Sequence, residues 1–132
     1  MFFLITILLL VGIYEFWTRE QSIDFVKYMP KSFTYCNESI LPTNEKYIEL
    51  KQWFILNTDG WENTPVTYAQ VNELRSENMY ITLFKSGVVI NYTKDGKEWY
   101  QVINKKNKSE LSFTCNLANK SLKDGTPVPG VP

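Results

Sequence analysis

An unbroken apolar run opens the chain, with no charged side chain between residues 2 and 14. As a helix this run would be about 20 Å long, whereas the hydrocarbon core of a bilayer is about 30 Å thick. We interpret residues 1–18 as a hydrophobic anchor or a signal segment. No small-x-small cleavage pattern follows the run, and Tyr14 and Trp17 are placed like the aromatic residues of a membrane interface. We therefore expect an uncleaved anchor, with these two residues at the membrane interface.

The next part of the chain predicts a linker and then one helix. Residues 19–31 are mixed in polarity and are interpreted as a linker or as an extension of the first helix. Thr43 or Asn44 is a suitable N-cap, and apolar residues then recur at helical spacing up to Asn57. A strand is the alternative over this stretch, because apolar and polar residues also alternate in part of it. The capping residues favour the helix.

Beyond Trp61 the apolar period changes to two, which is typical of strands. The runs are rich in Val, Ile, Thr and Tyr, are bounded by turn residues, and cover 66–71, 79–84, 87–93, 98–104 and 111–116. Asp95-Gly96 is the strongest hairpin signal in the chain. We predict an α+β domain over residues 32–120, with one helix packed on an antiparallel meander of four or five strands. Residues 121–132 are predicted to form a flexible tail rich in Pro and Gly.

The two cysteines lie in nearly repeated contexts, SFTYC at 32–36 and SFTC at 112–115. Facing strands would bring the sulfurs of Cys36 and Cys115 within bonding distance and close a loop of about 80 residues, worth roughly 4 kcal/mol in the chain-entropy model. Two unrelated buried thiols are the alternative. Together with the export-like N-terminus, the pattern favours a disulfide. The expected location is the inner membrane as a single-pass protein, with the domain in the periplasm or another oxidising compartment.

Composition narrows the possible chemistry. With 14 basic and 14 acidic side chains, the chain lacks the excess of positive charge that is typical of nucleic-acid-binding proteins. It contains no histidine and only two cysteines. This composition excludes histidine-based acid-base catalysis and a Cys/His nucleophilic pair, and it argues against an ordinary zinc site. Asp59 and Glu62 are the one carboxylate pair considered for hydrolysis, and such a pair in a turn is more often simply solvated. We predict no catalytic residue, no metal and no cofactor, and we expect a protein that is not an enzyme.

Aromatic residues provide the candidate partner-binding site. Asp59, Trp61 and Glu62 lie in a turn-rich stretch that runs from Asp59 to Pro65, and are predicted to form a contact loop. Tyr68 and Trp99 are added because outward aromatic residues on a sheet commonly anchor protein interfaces. Each aromatic residue could equally be part of the core, since a small domain fills its interior with such side chains. The predicted partner is another protein, with a lipid bilayer contacted through residues 2–17.

Part of the chain resembles a known class of proteins. The segments LKQWF at 50–54, NTDGW at 57–61, TPVTYA at 64–69 and VVINY at 88–92 resemble small membrane-anchored or periplasmic proteins of Gram-negative bacteria, which include toxin-immunity proteins. The resemblance implies a non-catalytic, membrane-tethered periplasmic protein that neutralises a toxin by steric occlusion. One alternative is an accessory subunit of a membrane protein complex. Another is an immunoglobulin-like viral or cell-surface glycoprotein, because Cys36, Trp53 and the run Phe113-Thr-Cys115 resemble the Cys, Trp and second Cys of immunoglobulin domains.

Overall fold

The computed structural model describes residues 1–68, 72–105 and 111. Its helices are α1 (Phe2–Thr18), a short 3-10 helix (Phe25–Tyr28) and α2 (Glu45–Leu56). Its strands are β1 (Phe33–Tyr35), β2 (Glu38–Ile40), β3 (Trp61–Asn63), β4 (Glu73–Arg75), β5 (Met79–Phe84), β6 (Gly87–Thr93) and β7 (Trp99–Asn104). These elements form one layer of sheet with α2 packed against one face.

All seven strands belong to one antiparallel sheet, in the order β2-β1-β4-β5-β6-β7-β3. Strands β4 to β7 form a meander of consecutive hairpins. β1 and β2 form a separate hairpin that joins β4, through the pair Thr34 and Arg75. β3 pairs with β7 at the opposite edge, and Gln21 bridges to Trp61 beyond it. Both edge strands have three residues, which limits the unpaired backbone that they offer to other chains.

The core lies between α2 and the inner face of the sheet. Phe25 stands at its centre, with its ring centroid 4.7 Å from that of Trp61, 5.1 Å from Tyr92 and 5.4 Å from Phe54. The rings of Phe25 and Trp61 meet edge to face, as do those of Phe25 and Tyr92, and this is the favoured geometry for aromatic pairs. A cluster of aromatic side chains therefore joins the 3-10 helix, α2, β3 and β6.

The helix predicted after the N-cap candidates is confirmed as α2. The side chain of Asn44 accepts a hydrogen bond from the Lys46 backbone N–H at 2.9 Å. This bond satisfies one of the backbone donors that are left free in the first turn of a helix. Leu50 and Phe54 are buried on the side that faces the sheet. The strand alternative for this stretch is thus wrong.

The predicted meander of four or five strands is wrong, because the described residues alone form a sheet of seven strands. The predicted strands 79–84 and 87–93 are observed with the same bounds, and 98–104 is observed from Trp99. The stretch at 32–36, interpreted as a short β segment, contains β1, whereas the missed strands β2 to β4 have three residues each, too few to show a period of two. Residues 66–68 are not in a strand, while 69–71 and 112–116 lie outside the described residues.

The prediction of an N-terminal membrane anchor is also wrong. α1 has 17 residues, which gives a length of about 26 Å against about 30 Å of hydrocarbon. Among the residues that the structure describes, no helix combines the length and the apolar character needed to cross a bilayer. A single-pass topology is therefore not supported.

The segment interpreted as a linker contributes to the body of the domain. Gln21 pairs with Trp61 through both backbone groups, at 2.8 and 3.2 Å, and the Ile23 N–H donates to the Thr58 carbonyl oxygen at 2.8 Å. Ile23 and Phe25 are buried in the core. The body thus begins near residue 21 rather than at residue 32.

The disulfide prediction falls partly outside the described residues. Cys36 is disulfide-bonded and lies in the turn between β1 and β2, where it and Asn37 have positive φ angles of 52° and 62°. Cys115 lies outside the described residues, so the pairing of Cys36 with Cys115 stays a prediction. The described strands form one sheet, whereas an immunoglobulin domain packs two sheets together, and that alternative is dropped.

Candidate functional site

Alternation along the strands divides the sheet into an inner face against α2 and an outer face. The register of β5 with its neighbours places Arg75, Tyr80 and Asn91 side by side on the outer face. Trp99 belongs to the same face, because it lies two residues before Gln101, which pairs with Asn91. One end of this face is open to solvent, and the other is covered.

The open end carries a row of three stacked side chains, which we call the aromatic ladder: Arg75, Tyr80 and Trp99. The rings of Tyr80 and Trp99 are stacked, with centroids 5.1 Å apart and planes 18° apart. The Arg75 guanidinium lies 5.6 Å from the Tyr80 ring centroid, within the range of a cation–π contact. Trp99 is 46% exposed, and Tyr80 is half-buried. The ladder is therefore an exposed but ordered surface.

A carboxylate holds the charged end of the ladder in place. Arg75 forms an ion pair with Glu73, whose side chain is only 9% exposed. The Thr82 hydroxyl donates to the other carboxylate oxygen of Glu73 at 3.3 Å. The hydrogen bond and the charge of Glu73 raise the pKa of Arg75 further above its usual value. The guanidinium is thus always charged, and its position over Tyr80 is set by side chains of the sheet itself.

An open cleft of about 730 Å³ lies beside the ladder. Its floor is formed by outer-face residues, and its walls by the segment before β1 and the turn between β4 and β5. The lining residues are Pro30, Lys31, Ser32, Thr34, Arg75, Ser76, Glu77, Asn78 and Tyr80. The turn is rigid, because the Ser76 hydroxyl and backbone N–H both bond to the Met79 carbonyl oxygen. Tyr80 and Arg75 are shared between cleft and ladder, so the two form one continuous site.

The covered end of the outer face lies under residues 64–68, which we call the cover. This segment leaves β3 and runs from β7 towards β5. The Gln101 side-chain amide donates to the carbonyl oxygens of Thr64 and Val66, at 2.9 and 2.7 Å. At the far end the Tyr68 ring lies 5.4 Å from that of Phe84. The cover therefore borders the ladder, since Gln101 is two residues from Trp99.

Trp61 does not lie on a contact surface, contrary to the sequence prediction. Its side chain is fully buried, and its indole N–H donates to the Asn57 carbonyl oxygen at 2.8 Å. The stretch predicted as a loop forms the edge strand β3, whose pairing with Asn104 turns the Trp61 side chain towards the core. A partner could reach this ring only by opening the domain.

The other four predicted contact residues are not brought together. Asp59 is exposed in the loop before β3, and its carbonyl oxygen accepts a bond from Asn104. Glu62 is on the outer face opposite Ile103, about 13 Å along β7 from Trp99. Tyr68 lies at the covered end, whereas Trp99 lies at the open end. Trp99 is the one predicted residue that belongs to the ladder.

Arg75 and Tyr80 are the site residues that the sequence prediction missed. A local signal for Tyr80 was present in the two hairpins. The two-residue turn at 85–86 sets Tyr80 opposite Asn91, and the turn around Asp95-Gly96 then sets Asn91 opposite Gln101, beside Trp99. Arg75 had no such signal, because β4 is too short to be recognised.

The residues predicted to lie at a membrane interface are on α1. Tyr14 is exposed, and the rings of Phe16 and Trp17 meet edge to face with centroids 5.9 Å apart. No residue of α1 is buried in the body. They are separate from the ladder, which lies on the outer face of the sheet.

The ladder and the cleft present aromatic, charged and hydrogen-bonding groups to solvent. The site offers two stacked aromatic rings, one permanent positive charge, and a cleft lined by hydroxyl, amide and charged groups. Among the described residues, no group of three His, Cys, Asp or Glu side chains is arranged to hold a metal ion. Comparisons with protein-family models, with curated proteins and with solved structures found no match.

Proposed function

We propose that this chain is a binding protein that recognises another protein through the aromatic ladder and the cleft beside it. The observation that carries the proposal is the ordered exposure of Arg75, Tyr80 and Trp99 in one stack. Arg, Tyr and Trp are the residue types most enriched among interface hot spots. Because Glu73 and the strands already order these side chains, little conformational entropy would be lost on binding.

The proposed mechanism is steric occlusion of a toxin, as in an immunity protein. A rigid sheet face bearing an aromatic ridge can fill the mouth of a cleft on the partner without chemistry of its own. The rings would supply most of the affinity by burial, and the Arg75 charge would orient the partner. The acidic residues Asp59 and Glu62 would lie outside the centre of this contact.

We further propose that the body works in the periplasm or another oxidising compartment. α1 would then serve as a signal segment, the alternative that the sequence left open beside an anchor. Two observations support this role: the apolar run in the sequence, and the absence of any α1 residue from the described core. The intact mass of protein recovered from native cells tests it, since a removed segment shortens the chain by about 20 residues.

Neutralisation of a toxin tests the occlusion mechanism. The full chain would be co-produced with toxin candidates encoded beside its own gene, and survival of the host cells would be measured. We expect protection by the native chain and by Tyr100→Ala, and loss of protection with Trp99→Ala. Tyr100 is a matched control because it is a similarly exposed aromatic residue on β7 that faces away from the ladder. Protection that persists without Trp99 would exclude the ladder as the binding site.

A second candidate function is that of an accessory subunit of a membrane protein complex. The observation that favours it is α1, whose large apolar side chains are exposed on every side. In this case the complex would cover α1. Deletion of residues 1–19 separates the two candidates, since it would abolish association of an accessory subunit and leave an immunity protein able to bind its toxin.

A further inference from the structure

We propose that the cover, residues 64–68, is a displaceable lid over a hidden apolar strip of the outer face. The part of the inference that concerns partners rests on the proposed function: a protein docked on the ladder would extend across the face by displacing the cover. The lid itself is a property of the free chain and is testable without a partner.

The strip beneath the cover is apolar although it faces away from the core. Val89 and Ile103 pair with each other across β6 and β7, on the same face as Trp99. Both are buried, at 0% and 5% exposure, whereas Trp99 on this face is 46% exposed. The cover begins beside Gln101 and ends beside Phe84, and the strip lies between these two points.

The cover is attached to the sheet at a few places. Gln101 provides two hydrogen bonds from one side chain, and the Thr64 N–H adds a bond to the Gln101 carbonyl oxygen at 3.2 Å. The hydroxyls of Thr64 and Tyr68 are 3.3 Å apart. Gln101 is thus a positioning residue that holds the cover beside the ladder.

The cover itself contributes little buried surface. Pro65, Val66 and Thr67 are exposed, Tyr68 is half-buried, and Thr64 is the buried member. A segment with few buried side chains opens at a lower free energy than the strands below it. Opening would expose Val89 and Ile103, which are separated from Trp99 by the pair Asn91 and Gln101, and so add a second apolar patch to the outer face.

Amide hydrogen exchange on the full chain tests the lid. We expect the amides of the cover to exchange faster than those of β5 and β6 in the native chain. Gln101→Ala should speed exchange in the cover by about tenfold, because two of its hydrogen bonds are lost. Binding of a hydrophobic dye should rise in the same variant. Asn91→Ala is the matched control, as a half-buried polar residue that pairs with Gln101 on the same face.

Exchange in the native cover as slow as in β5 and β6 would overturn the lid. If exchange in Gln101→Ala rises equally in all strands, that variant is globally destabilised, and Tyr68→Ala, a change within the cover itself, is measured in its place. Selective acceleration of the cover in Tyr68→Ala supports the lid, and uniform acceleration overturns it.

Displacement of the cover by a bound partner is tested by a separate measurement of hydrogen exchange in the complex. With a partner bound through Trp99, we expect faster exchange in the cover than in the free chain. Slower exchange would show that the partner binds on top of a closed cover, and would contradict displacement. If no protein binds through Trp99, the proposed function fails, whereas the exchange results on the free chain still stand.

Discussion

Individual aromatic residues in this chain are divided between core and surface by which face of the sheet they occupy. Trp99 and Tyr100 are adjacent on β7. The Trp99 ring stacks on Tyr80 at the outer face. The Tyr100 ring lies on the inner face, with its centroid 5.6 Å from that of Tyr92. Their side chains alternate because successive residues of a strand point to opposite faces. The role of each ring therefore follows from strand register rather than from residue type.

Replacement of Trp61 tests its assignment to the core. We expect Trp61→Ala to lower the free energy of unfolding by about 3–5 kcal/mol, because a large buried ring leaves a cavity. Trp61→Phe retains most of the ring and loses the hydrogen bond to Asn57, so its effect should be nearer 1–2 kcal/mol. Urea denaturation measures both. An unchanged midpoint for Trp61→Ala would show that this residue is not buried.

Tyr92 makes the domain sensitive to high pH. Burial raises its pKa to about 12, with smaller contributions from Tyr28 and Tyr100. The unfolded chain releases the proton near pH 10 and the folded chain does so near pH 12, so stability falls as the pH rises through this interval. Thermal unfolding between pH 8 and 12 should show a declining Tm. Tyr92→Phe should reduce the decline, and an identical pH profile in this variant would contradict the assignment.

The helices and strands differ in whether neighbouring residues in the sequence or distant pairing partners determine them. α2 and the hairpins from β5 to β7 were predictable, because Asn44 caps the helix and Asp95-Gly96 sets a turn. β3 was not predictable: its three residues acquire strand geometry from Gln21 on one side and Asn104 on the other. Long-range pairing of this kind leaves no periodicity in the sequence. It also explains why Trp61 was assigned to a surface loop.

Within the sheet, Gly87 is required by the close approach of β6 and β7. A Cβ atom at this position would overlap the carbonyl oxygen of Asn104. Gly87→Ala should therefore lower the free energy of unfolding by about 1–3 kcal/mol, since the backbone of a strand must shift. Gly12→Ala is the control, because nothing lies within 4 Å of the added atom. Equal stability of the two variants in urea would contradict this packing.

At the scale of the whole molecule, the body has two dissimilar sides and an apolar helix, α1, that contacts β3 without burying a residue in the core. The inner face of the sheet is closed by α2, and the outer face holds the ladder, the cleft and the cover. α1 adds no residue to the described core. We therefore propose that recognition by the outer face is independent of whatever contacts α1.

Deletion of residues 1–19 tests this independence. We expect the Tm of the shortened chain to stay within about 2 °C of the native value in detergent-containing buffer, because the buried residues all remain. The first pairing of the body, between Gln21 and Trp61, is preserved. A large fall in Tm would show that α1 stabilises the body.

The ladder as the binding surface is tested most directly by comparing three full-length baits: the native chain, Trp99→Ala and Tyr100→Ala. Each would be incubated with envelope proteins of the source cells, and bound proteins would be quantified by mass spectrometry. We predict that partners retained by the native chain and by Tyr100→Ala are reduced about 30-fold with Trp99→Ala, the effect of losing a hot spot of about 2 kcal/mol. Equal retention by all three baits would contradict recognition through the aromatic ladder.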